Sequence, residues 1–144
     1  MGHTGSVNGF GLSGDGSLVI TASSDKTVRL WDLPGRTEIA TLGKRRKQVL
    51  AVDLSADGGF AATGSYDGTV VVWLISDQSE TGRIEIGVRV SSVAFDPLKN
   101  WLAVASISHD VLVLEPDGSE VVRLATEDPV SSVGWTRDGG FLIG

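Results

Sequence analysis

Short apolar runs alternate with short polar turns along this chain. Residues 18–22 and 28–33 flank a polar turn at Ser24, Asp25 and Lys26. Forty-two positions later the pattern returns as FAATGSYDGTVVVWLI, over residues 60–75. Thr21 falls on Thr63, Ser23 on Ser65, Asp25 on Asp67, Thr27 on Thr69, Val28 on Val70 and Trp31 on Trp73. A fixed period of this size marks a repeat architecture.

The period divides into four strands. In the first repeat the pattern predicts strands over 7–13, 18–23, 27–33 and 37–42, with Val7, Phe10 and Leu12 facing inward. Asp15-Gly16 and Pro34-Gly35 supply turns, because Asp-Gly tolerates positive φ and Pro presets it negative. The second repeat predicts 49–55, 60–65, 69–75 and 83–88. In the third, Val90, Val93 and Phe95 match Val49, Val52 and Leu54 at an offset of forty-one. Strands over 101–106, 110–114 and 120–124 follow. A fourth repeat begins with 130–135, turns at Asp138-Gly139 and stops within 141–144. Turns about every ten residues between short strands argue for an all-β stack of sheets.

Composition adjusts this picture only a little. The chain has 144 residues, 41% of them apolar, which suits one globular unit. No apolar run approaches the length of a membrane-spanning helix, so no membrane role is expected. The residues after Met1 lack the basic-then-apolar order of a secretory leader, and a cytoplasmic protein is expected. With no cysteine, disulfides and thiolate metal sites are excluded. The net charge of −6 is unevenly spread. Residues 1–47 hold seven Lys/Arg and four Asp/Glu, while residues 48–144 hold five and fourteen. An acidic surface repels phosphate backbones, so nucleic acid is not an expected partner.

Gly2-His3, an Asp in a tight turn and Trp31-Asp32, recurring at this period, resemble the WD40-repeat family. The resemblance implies an all-β, partial WD40-type β-propeller of four-stranded antiparallel blades. Three blades are full (1–43, 44–88 and 89–126) and a fourth is truncated (127–144). It further implies a hydrogen-bonded tetrad of loop His, second-strand hydroxyl, turn Asp and third-strand Trp. In blade one these are His3, Thr21, Asp25 and Trp31. Blade two keeps Thr63, Asp67 and Trp73, but Arg45 stands at the His position. Arginine cannot accept from a hydroxyl, so an Arg45–Asp67 pair is expected instead. Blade three has Ile86, Val104, Ser108 and Leu114 at the four positions, and apolar packing alone is expected to hold it.

The candidate chemistry is thin. Lys44, Arg45, Arg46 and Lys47 form the largest charge cluster; with no interleaved aromatic residue, they read as a solvated loop rather than a nucleic-acid or localisation patch. None of the Asp-Gly turns has the spacing of a calcium loop, and His3 and His109 are too few for a zinc site. Neither a G-x-S-x-G elbow nor a phosphate loop occurs, so no catalytic residue, cofactor or metal is expected. Met1-Gly2 with Ser6 fits the myristoylation pattern, but Gly2-His3 belongs to the repeat. What remains is a surface. In the family, the residue before each turn Asp points from one face, which gives Ser24, Tyr66 and Ile107 here, with Gln48 and Leu50 beside them.

The expected function is a non-catalytic scaffold or sensor that binds a protein or peptide, within a longer multidomain signalling or regulatory protein. The alternative is a structural fragment that completes its ring by oligomerisation, and a propeller-framed hydrolase ranks below both. Ring completion is expected from the rest of a longer chain or from other chains.

Overall fold

A computed structural model describes residues 2–144; Met1, where the lipidation pattern begins, lies outside the described residues. These residues form fourteen strands, with no helix among them. β1 (Val7–Leu12), β2 (Leu18–Ser23), β3 (Thr27–Asp32) and β4 (Thr37–Lys44) make the first sheet. β5 (Val49–Leu54), β6 (Phe60–Ser65), β7 (Thr69–Leu74) and β8 (Ser79–Glu85) make the second. The third contains β9 (Val90–Phe95), β10 (Leu102–Ser106), β11 (Asp110–Leu114) and β12 (Glu120–Ala125). β13 (Val133–Trp135) and β14 (Phe141–Ile143) pair as a two-stranded sheet. Every strand pairs antiparallel with its neighbour in sequence, so each blade is a simple meander. The molecule is a partial β-propeller of three full blades and one two-stranded blade.

The hairpins hold their register through aspartate. Asp15 accepts from the Ser17 amide at 2.9 Å, and Asp57, Asp77 and Asp117 repeat the contact with Gly59, Ser79 and Ser119. A carboxylate closing a turn on the amide two residues ahead is the reason Asp is favoured there.

Blades stack face to face, and each interface is an apolar layer. Ile20, Val28 and Leu30 of blade one pack with Val49, Leu54, Val71 and Trp73 of blade two. Val70, Val72 and Ala62 pack in turn with Val93, Phe95, Leu102 and Leu114 of blade three. Both faces of the middle sheet are therefore covered, which accounts for the unbroken apolar run TVVVWL in β7. Trp73 is only 5% exposed because its ring lies against Gly43 of blade one. A Cβ at Gly43 would stand 2.8 Å from the ring's Cη2, closer than such atoms approach. Trp31, on blade one's uncovered face, is half-buried.

Three expectations are corrected. The outer strand of blade two runs from Ser79 to Glu85, not 83–88. Asp77 accepts from Ser79, and Gln78 adopts φ 60, so the hairpin turns early and the polar residues SET join the strand. β13 starts at Val133 rather than 130, because the Ser131 and Ser132 amides turn to the Gly144 carbonyl. Val7, Phe10 and Leu12 are exposed, Phe10 by 67%. Gly9 and Gly11 face blade two instead: Gly11 has no room for a Cβ against the Asp53 backbone. Side-chain alternation then turns Phe10 and Leu12 to the other side.

Candidate binding face

Blade one contains a closed hydrogen-bond cluster. The Trp31 Nε1–H donates to Thr21 Oγ1 at 2.8 Å. Thr21 Oγ1 lies 2.7 Å from His3 Nε2, and His3 Nδ1 lies 2.9 Å from Asp25 Oδ2. The tautomer with its proton on Nδ1 satisfies both contacts: Nδ1–H donates to Asp25, and Nε2 accepts from the threonine hydroxyl. Asp25 also accepts from the Thr27 hydroxyl at 2.6 Å, the Thr27 amide at 2.9 Å and the Thr4 amide at 2.9 Å. Burial alone would raise this carboxyl, but the donors from Thr27, Thr4 and His3 together hold it well below the carboxylate range. The cluster fixes the entering loop on the β2–β3 hairpin and leaves no free nucleophile.

Blade two is wired differently from the expectation. Trp73 Nε1–H reaches Thr63 Oγ1 at 3.3 Å, and the Thr63 hydroxyl donates to the Val71 carbonyl at 3.3 Å. The Arg45 guanidinium donates to Thr69 Oγ1, and Thr69 in turn donates to Asp67 at 2.6 Å. Arg45 thus reaches Asp67 through Thr69 rather than by a direct ion pair; the Thr69 hydroxyl and amide both bond Asp67 Oδ1. Burial works to raise Asp67, while the Thr69 donors and the Arg45 charge pull it below its ordinary value. The basic run is therefore not uniformly solvated: Arg45 is 8% exposed, while Lys44, Arg46 and Lys47 lie at the surface.

Blade three holds more than apolar packing. Ser106 and Ser108 share a hydroxyl hydrogen bond of 2.5 Å at the β10–β11 turn, where the other blades carry aspartate. Arg123 on β12 bonds Asp110 at 3.1 Å.

Ser24, Tyr66 and Ile107 occupy equivalent places. The Ser24 amide donates to Ser6, the Tyr66 amide to Gln48, and the Ile107 amide to Arg89, at 2.9, 3.0 and 3.1 Å. Each acceptor immediately precedes its blade's first strand, so the three residues hold the same place on successive blades. Tyr66 is 49% exposed, with the Lys47 ammonium 5.5 Å from its ring centre. Tyr66 and Gln48 share a depression of about 390 Å³ with Lys26, Arg46 and Lys47. Leu50 and Ile107 share another, of about 460 Å³, with Arg89, Ser91, Pro129, Val130 and Ser131. Ser24 stands apart from both; its hydroxyl bonds Asn8 Oδ1 at 3.2 Å, and Asn8 Nδ2 donates to the Val49 carbonyl.

Sequence reasoning passed over Lys26, Arg89 and Pro129. Lys26 was legible as the residue after the turn Asp, at the place of Gly68; Arg89 precedes β9 as Gln48 precedes β5. Asp53 was also missed. Its carboxylate accepts from the Leu54 and Phe95 amides, both at 2.9 Å, and so ties β5 to β9. Burial pushes it up to about 6, against the pull of those two amides. Among the described residues no three His, Cys, Asp or Glu side chains gather as a metal site.

Comparison with known proteins agrees with this architecture. Residues 1–32 and 36–73 match the family described as WD domain, G-beta repeat. A stretch of 54 residues, 35% of this chain, is 44% identical to Pre-mRNA-processing factor 19 homolog 2 of Arabidopsis thaliana. The chain spans about a tenth of that relative's length, 10% by alignment. Its repeat period, its stacked four-stranded sheets and this match together identify WD40 repeats at residues 1–32 and 36–73, within a partial β-propeller.

Proposed function

We propose that this chain is a non-catalytic scaffold or sensor that binds a protein or peptide on the face bearing Ser24, Gln48, Leu50, Tyr66 and Ile107. WD40 repeats are in general protein-interaction scaffolds without catalysis of their own. The supporting observation is the equivalent amide anchoring of Ser24, Tyr66 and Ile107, which puts three unlike residues at the same place on successive blades. Tyr66 is the anchor: a half-exposed aromatic ring beside a depression gains contact area at little entropic cost. The polar groups of blade one bond one another, so no nucleophile and base remain paired and open to a substrate. The test uses a peptide selected on this chain from a displayed random library. Tyr66→Ala is expected to weaken it about tenfold or more, near 1.4 kcal/mol, with the melting temperature unchanged. An unchanged affinity would remove the face assignment.

A second reading is favoured by the exposure of Phe10, Leu12 and Leu142 on the outer faces of the first and last blades. It takes another copy or another chain as the cover, and predicts a discrete oligomer by light scattering. A monomer at all concentrations would end it.

A further inference from the structure

A cleft of about 460 Å³ opens beside the β6–β7 hairpin, away from the Leu50–Ile107 depression and meeting the Tyr66 one at Arg46. Its walls carry Lys44, Arg45, Arg46 and Arg83 against Asp67 and Glu85, four cations to two carboxylates. This excess of positive charge sits on a chain whose net charge is −6. Its floor is bare backbone: Gly68 and Gly87, both at φ 84, pack so closely that a Cβ on Gly68 would strike the Gly87 carbonyl carbon at 2.9 Å. No side chain covers that floor, so a ligand can reach the cationic walls.

Arg45 is the second, independent observation. More than nine-tenths of it is buried, yet among the described residues its guanidinium has one acceptor, the Thr69 hydroxyl, and no ion pair. A guanidinium offers five donors in a planar fork, and Arg45 lines the cleft with only one of its nitrogens engaged by Thr69. Burial first, and then the charge of Arg83, push Arg45 below its usual value, against the pull of Asp67 and Glu80. Arg83 itself is held in place by Glu80, at 2.7 to 3.1 Å.

Resting on the reading that this chain binds a protein partner, we propose that this cleft receives a phosphorylated serine or threonine side chain of that partner. Glu80 already balances Arg83, and a phosphate carrying close to two negative charges meets the remaining Lys44, Arg45 and Arg46 with oxygens that match the fork of Arg45. The shared Arg46 lets one peptide place its phosphate here and an apolar residue against Tyr66.

Two fluorescent peptide pools of mixed sequence, one with a central phosphoserine and one with serine, are titrated into the 144-residue chain by anisotropy. The phosphoserine pool is expected to bind about tenfold or more tightly. Lys44→Gln with Arg46→Gln, both at the surface, is expected to remove most of that difference while the chain stays folded. Arg45→Lys is expected to do the same, with circular dichroism to check its fold. Equal affinity for the two pools overturns the proposal, as does a difference that survives the double variant. So does equally tight binding of a mixed-sequence RNA oligomer at the same salt, which would mean backbone charge alone is read. Tyr66→Ala separates the two assignments. If it weakens both pools alike and they do not differ, the face stands and the phosphate site falls.

Discussion

Replacing Thr21 with valine removes one oxygen and keeps the shape. That oxygen receives the Trp31 Nε1–H at 2.8 Å and bonds His3 Nε2 at 2.7 Å; its third contact, to the Arg29 carbonyl, is a marginal 3.5 Å. Valine therefore strands one donor and one acceptor. The His3 and Asp25 side chains are 4% and 7% exposed, so water cannot readily replace the lost partner of the imidazole. Each stranded group costs about 1–3 kcal/mol, and Trp31, being half-exposed, belongs at the low end. The expected loss is about 2–4 kcal/mol, read as a shift of the urea midpoint at constant slope. A double-mutant cycle with His3→Ala isolates the shared part, and a coupling of about 1 kcal/mol is expected for groups in one network. A loss below about 0.5 kcal/mol, the range of ordinary surface changes, would refute the reasoning. So would additive losses in the cycle, since the hydroxyl would then not be what links tryptophan to histidine.

Gly43→Ala places a methyl 2.8 Å from the Trp73 ring, so it should cost about 1–3 kcal/mol by overpacking and should perturb the Trp73 fluorescence; no change would mean the blade-one–blade-two contact is looser than described. Lys26→Gly should add up to about 1 kcal/mol, because Lys26 holds φ 72 where blade two has Gly68 at φ 84; a loss would mean that the lysine side chain contributes more than its backbone strain. The Asp53 carboxyl should titrate near 6 in a carbon-detected NMR experiment. Its folded value lies above the ordinary 3.8, so the folded state holds this proton more tightly. The stability it contributes therefore falls as pH rises from about 4 to 6 and is flat beyond. A midpoint at the ordinary value would show that its buried bridge between β5 and β9 is open to water.

Much of this fold was legible because two local signals agreed. Asp-Gly and Ser-Asp turns set the hairpins, and the runs between them were short and apolar. The tetrad positions His3, Thr21, Asp25 and Trp31 came from the resemblance to the WD40-repeat family, and the period of forty-two residues carried them to Arg45, Thr63, Asp67 and Trp73. What stayed hidden depended on neighbours distant in sequence. Phe10 and Leu12 look like core by composition, and only the close approach of Gly11 to Asp53 shows which side of β1 meets blade two. Arg45 was placed at the right position but given the wrong partner, since its guanidinium bonds the Thr69 hydroxyl, which in turn bonds Asp67. Asp53 carried a faint signal, a carboxylate between Val52 and Leu54 on an inner strand, where the equivalent positions hold Gly11 and Ala94. Its bond to the Phe95 amide joins residues forty-two apart, and no local rule reveals that. In the candidate face, Tyr66 and Ile107 followed from the repeat, while Lys26 and Arg89 needed the depressions they line.

The most direct measurement is hydrogen exchange of the chain with and without a saturating peptide selected on it. The account places the partner on the hairpin face. Slowed exchange is expected at the turns holding Ser24, Tyr66 and Ile107 and at Gln48 and Leu50, with the opposite turns at Asp15, Asp57 and Asp117 unchanged. Protection confined to those opposite turns, or to the outer strands β4, β8 and β12, would contradict it.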